Sequence, residues 1–185
     1  MTTPKLFLLL FLGLTAFVST AHAQRDHLTP QEVDLVKEAQ VLDKRIDVFI
    51  KAADRRIIVL NGGTEAEAKT KQAKKEAELW GELPTGSRAE LVSDIARILD
   101  EAITNIDDVS ARDERNPLIG KSLRKLAQAT NTIMDQLKPL STQAKSDAEV
   151  ASFEQLNEDA KSIMEAVAKL PPEPEKPDKK AKKSN

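Results

Sequence analysis

Few side chains in this chain could do chemistry, and their spacing decides what chemistry is open to them. There is no Cys, and of two His residues one, His22, sits in an N-terminal leader. That leaves His27 in the processed chain. A covalent haem needs Cys-x-x-Cys-His, and a di-iron carboxylate centre needs two Glu-x-x-His pairs on facing helices; neither can be assembled. Zinc sites built from Cys or several His fail for the same reason. His27 precedes the first helix and reads as an exposed linker residue, since one imidazole cannot close a metal site.

Oxygen ligands alone could hold calcium. Asp107, Asp108, Asp113 and Glu114 gather near a helix end. Their spacing departs from an EF-hand loop and no Gly supplies its turn, so a solvated helix terminus partnered by Arg112 and Arg115 is expected. Nucleophilic catalysis has no Gly-x-Ser-x-Gly elbow and no embedded base. Asn61-Gly62-Gly63 lacks the Lys of a phosphate loop. The sequence therefore points to no catalytic, cofactor or metal residue, and to a chain that is not an enzyme.

Two features could serve binding. Lys69, Lys71, Lys74 and Lys75 form a basic stretch that could make weak peripheral contact with an anionic surface, although interleaved Glu residues cancel much of its field. Trp80, the one Trp, is an anchor for core packing or, less simply, an exposed ligand platform. The formal net charge of −2 gives no bulk basic surface for nucleic acid.

These residues must be positioned by helices. Aromatic content is 3% and charged content 31%, with both signs mixed. That composition suits long helices with solvated faces. Residues 1–23 read as a cleaved signal peptide: Lys5, an apolar run from Leu6 to Val18, then Ala21-His22-Ala23 as the cleavage site, with Gln24 as the new N-terminus. The protein is expected to be secreted or periplasmic, with no transmembrane segment after processing.

Residues 24–170 read as one all-α domain, an antiparallel bundle of four long amphipathic helices plus one shorter charged helix. Thr29-Pro30-Gln31-Glu32 forms a capping box with Pro at the first helical position, and Leu28 with Val33 a hydrophobic staple. From there Leu35, Ala39, Leu42, Ile46, Phe49 and Ala53 recur at four–three spacing, predicting a single helix from Pro30 to Leu60. Val41, Val48, Ile50, Ile58 and Val59 lie off that seam and could serve a partner helix. Thr64 and Glu67 open the charged helix, which ends at Trp80-Gly81. Ser87 and Glu90 open the next long helix, running to about Arg115, with Asn105 at a core-type position. Asn116-Pro117 starts another, whose seam runs from Ile119 to Leu140 and which Pro139 should end or kink. The last helix reaches Leu170 on a seam of Phe153, Leu156, Ala160, Ile163 and Val167. Residues 171–185, rich in Pro and Lys, read as a disordered tail.

The expectation for function is a non-enzymatic protein-interaction or structural module of the bacterial envelope, acting on a protein partner or on itself. The alternative is a carrier holding a small apolar ligand among loosely packed helices, lined by Trp80 and Phe49.

Overall fold

The computed structural model describes residues 26–63 and 77–172. The expected signal peptide, the expected helix start at Thr64 and Glu67 with Lys69, Lys71, Lys74 and Lys75, and the expected tail beyond Pro172 lie outside the described residues. Five helices are defined: α1 (Pro30–Glu38), α2 (Leu42–Leu60), α3 (Arg88–Arg112), α4 (Leu118–Ser141) and α5 (Asp147–Ala168). A helical turn over 77–80 precedes Gly81, and no strand occurs among the described residues. No described helix is long and apolar enough to cross a membrane.

The helix starts follow local chemistry. Thr29 accepts from the Glu32 amide while the Glu32 carboxylate accepts from the Thr29 amide at 2.9 Å, and Ser87 and Glu90 do the same. A further capping box, Ser146 with Glu149, opens α5. The Glu149 carboxyl is held below its usual range, first by the Lys145 amide it accepts from. Asn116 accepts from the Leu118 amide at 3.0 Å and so starts α4. Pro139 does not stop that helix, which continues to Ser141. Only two residues follow the proline before the helix ends, so it lies in the last turn.

The expected single helix from Pro30 to Leu60 is instead two. Ala39 closes α1 with ψ 79°, and Val41 opens α2 from an extended conformation. No Gly or Pro marks the break. Its cause is long-range: Glu32 contacts Arg56, a residue 24 positions away. Along one continuous helix they would stand roughly 36 Å apart at 1.5 Å per residue. The chain therefore reverses at 39–41 and α1 folds back along α2. The carbonyl exposed by the break is used, since Arg45 donates through Nε to the Ala39 oxygen at 3.0 Å.

Helices α2 to α5 form a four-helix bundle around one core, with Ile46, Phe49, Ile95, Ile98, Leu99, Leu126, Ile133, Leu156 and Ile163 almost fully buried. Burying each such side chain contributes about 1.5–3 kcal/mol. Short connections make α3, α4 and α5 alternate in direction, and α2 runs opposite to α3, as Arg45–Asn105 and Arg56–Asp94 require. The ring order is less obvious. Each of α3 and α4 packs extensively against both α2 and α5, and less against the other. Around the bundle the order is thus α2, α3, α5, α4.

This order makes two neighbouring pairs parallel. Lys121 and Lys125 in the first turns of α4 meet Asp43 and Asp47 in the first turns of α2. Arg88 at the start of α3 stands 3.5 Å from Glu149 at the start of α5. By contrast α2 and α3 are antiparallel: Arg45 bonds Asn105 at 3.1 Å, and Arg56 lies near Asp94.

Candidate functional site

The best-buried polar groups lie where α1, α2, α3 and the Trp80 segment converge. Glu32 and Arg56 are 0% and 1% exposed, and Arg55 and Asp94 are also buried. One carboxylate oxygen of Glu32 stands 3.1 Å from Arg55 Nε and accepts from Arg56 Nη1 at 2.6 Å. The other oxygen caps α1. Arg56 also donates to the Ala52 carbonyl at 2.8 Å and to the His27 carbonyl at 2.6 Å, with Asp94 3.9 Å from its Nε. Two acids and two guanidinium groups balance in charge, and each is engaged. A buried carboxylate so shared is spoken for as a structural tie, because removing one partner would strand a charge away from water.

Arg55 carries this tie to the Trp80 segment. Its guanidinium lies 5.7 Å from the Trp80 ring centroid and donates to the carbonyls of Gly81 and Glu82. Gly81 has φ 67°, and a Cβ there would meet Gln31 of α1 at 2.9 Å. The positive φ calls for glycine, while the exposed Gln31 side chain could move aside. Trp80 is buried and belongs to the core. It is an anchor rather than an open platform. Phe49 is likewise fully buried.

His27 is not the exposed linker residue expected from its position. It is half-buried, and Nε2 pairs with Glu101 of α3 at 2.7 Å. The two border a cleft of about 290 Å³ with Leu28, Val33 and Val36. Asn105 sits at the core edge, donating to the Glu101 carbonyl at 2.9 Å while accepting from Arg45. Of Asp107, Asp108, Asp113 and Glu114, all are exposed, and Asp108 pairs with Arg112 at 3.7 Å. No group of three or more metal-ligating side chains forms among the described residues.

The larger feature is electrostatic and follows from the ring order. Over their helical spans α3 carries six acidic residues against three basic, and α5 six against Lys161 alone. On the other side α2 carries five basic against three acidic, and α4 four against Asp135 alone. Because α3 neighbours α5 and α2 neighbours α4, like adds to like. Leaving aside Arg55, Arg56 and Asp94, which are buried and matched with Glu32, one side of the bundle holds a formal charge of −7 and the other +3.

The two sides treat their charges differently. Between α2 and α4, Lys125 stands 2.9 Å from Asp43 and 2.7 Å from Asp47, and Lys121 bonds Asp43 at 2.9 Å. Hydrogen bonds from Lys125 and Lys121 hold the Asp43 carboxyl below its usual range. The same carboxylates raise the Lys125 ammonium, against its desolvation. Between α3 and α5, Asp159 is pushed upward by burial, with Asp100 and Glu158 adding repulsion and Gln155 opposing through a hydrogen bond. Sequence reading missed this division, although the charge of each helix can be counted; what it lacked was the knowledge of which helices are neighbours.

Comparison with protein families, with curated proteins and with solved structures returned no match to this chain.

Proposed function

We propose that this chain is a non-enzymatic protein-interaction module of the bacterial envelope, exported by its N-terminal leader and acting in the periplasm or outside the cell. The supporting observation is the separation of charge into an acidic α3/α5 side and a basic α2/α4 side. Oppositely charged surfaces steer encounters and fix the orientation of partners. Meanwhile the polar groups with the tightest geometry, Glu32, Arg55 and Arg56, hold helices to each other. The carrier reading has no comparable support, because Phe49 and Trp80 are packed into the core.

Site-specific photo-crosslinking in the producing cell tests the proposal. Probes at positions 100 and 158, and at 44 and 138, should give discrete protein adducts in the envelope fraction. The exported chain should begin at Gln24. Absence of adducts from both sides at native expression would overturn the interaction role, and an intact leader in a cytoplasmic chain would overturn export.

A further inference from the structure

We propose that the partner of the acidic α3/α5 side is the basic α2/α4 side of a second copy of this chain, in a front-to-back stack; this deepens the interaction reading above and rests on it. Three observations converge on a second copy. The first is complementarity: the −7 and +3 sides belong to the same bundle and face opposite ways. A copy displaced sideways, without rotation, sets one against the other.

The second is helix direction. The parallel pair α2/α4 runs opposite to the parallel pair α3/α5, as the Arg45–Asn105 and Arg56–Asp94 contacts require. The same displacement therefore places antiparallel helices across the contact, so opposite ends of their dipoles lie side by side.

The third is apolar surface. Ile58 on α2 is 41% exposed and Val150 on α5 is 42% exposed. The end of α2 lies with the start of α3 through Arg56 and Asp94, and the start of α3 lies with the start of α5 through Arg88 and Glu149. Ile58 and Val150 are thus at the same end of the bundle, on opposite sides. Unrotated stacking sets α3 of one copy against α2 of the next and α5 against α4, so exposed Ile58 is covered by α3 of the neighbouring copy. Around that contact, exposed Asp100, Glu158 and Glu165 would oppose exposed Lys44 and Lys121. Such a contact is heterologous: each copy keeps one side free, so association continues beyond two unless a side is blocked.

The experiment uses the full processed chain in sedimentation velocity across concentration and salt. Association should weaken by roughly tenfold between ~0.02 M and ~0.3 M NaCl, as screening shortens the reach of surface charge. Two variants isolate the sides. Asp100→Lys with Glu158→Lys blocks the acidic side; Lys44→Glu with Lys51→Glu, on the stripe of α2 that carries Ile58, blocks the basic side. Each alone should be monomeric. Mixed together they should form a dimer that grows no further, because each supplies the side the other lacks. A second acidic set, Asp100→Lys with Glu165→Lys, gives the same readout if the first fails to fold.

A wild-type chain that stays monomeric at low salt, blocked variants that still self-associate, or a mixture that does not dimerise would overturn the stack. Envelope adducts to a different protein would survive that result, so failure of the stack is separable from failure of the interaction role.

Discussion

The two parallel helix pairs solve the same problem by different means. Between α2 and α4, Lys121 and Lys125 bridge Asp43 and Asp47, and opposite charges fix the register of the pair. Between α3 and α5 one ion pair, Arg88 with Glu149, closes one end, while Asp159 is raised first by burial and further by Asp100 and Glu158. Away from that end the pair is joined by apolar burial, with Ile95, Ile98, Leu99, Leu156 and Ile163 fully enclosed. The difference teaches that charge here does not hold the bundle uniformly: it stabilises one side and burdens the other, and the core carries the burdened side.

The deepest way to break the comparison is at the edge where α1 joins the two sides. Glu32→Ala leaves Arg55 and Arg56 buried without their shared carboxylate. It should cost ~3–5 kcal/mol, as removal of one partner from a buried ionic tie does. Urea unfolding measures it, and a loss below about 1 kcal/mol would show that the tie is dispensable.

Leu156→Ala attacks the apolar means. Leu156 is 0% exposed, and truncation should cost about 2–5 kcal/mol. That loss should be the same at low and high salt, because no charge is involved. A strong salt dependence would contradict the assignment of the α3/α5 pair to apolar packing.

Asp43→Asn attacks the ionic means. Lys121 is 60% exposed, so solvent screens the pair and the loss should not exceed about 1 kcal/mol. It should shrink further in high salt, opposite to the behaviour of Leu156→Ala.

The smallest effect has the opposite sign. Asp159→Asn removes a repelled carboxylate and should stabilise by up to ~0.5 kcal/mol, the range of surface substitutions. Acid separates the two sides in the same way. The Asp43 carboxyl is lowered in the fold, so its contribution is present at neutral pH and lost as pH falls through its folded value. The Asp159 carboxyl is raised, so its penalty is present at neutral pH and relieved as protonation proceeds. Thermal unfolding of the two Asn variants below pH 5 should converge on wild type from opposite directions.

The helices and most of their limits were legible in the sequence, because periodicity and capping are local. Thr29 with Glu32 and Ser87 with Glu90 announce helix starts within four residues, and the seams of Phe153, Leu156, Ala160 and Ile163 or of Leu126 and Ile133 name their buried side in advance. The break at 39–41 was not legible. Its cause is a contact from Glu32 to Arg56 that only a folded chain can make, and Gln40 and Val41 carry no breaking signal. His27 was misjudged for a related reason: Glu101, its partner, is 74 positions away.

By itself, then, the order of residues settled which segments coil, which stripe of each is oily, and how much charge each helix bears. The ring order was left to the tertiary structure, since every helix offers a stripe that could pack on several neighbours. Only when α2 met α4 and α3 met α5 did the charges of separate helices add into two opposed sides, and a sum over neighbours has no counterpart along the chain.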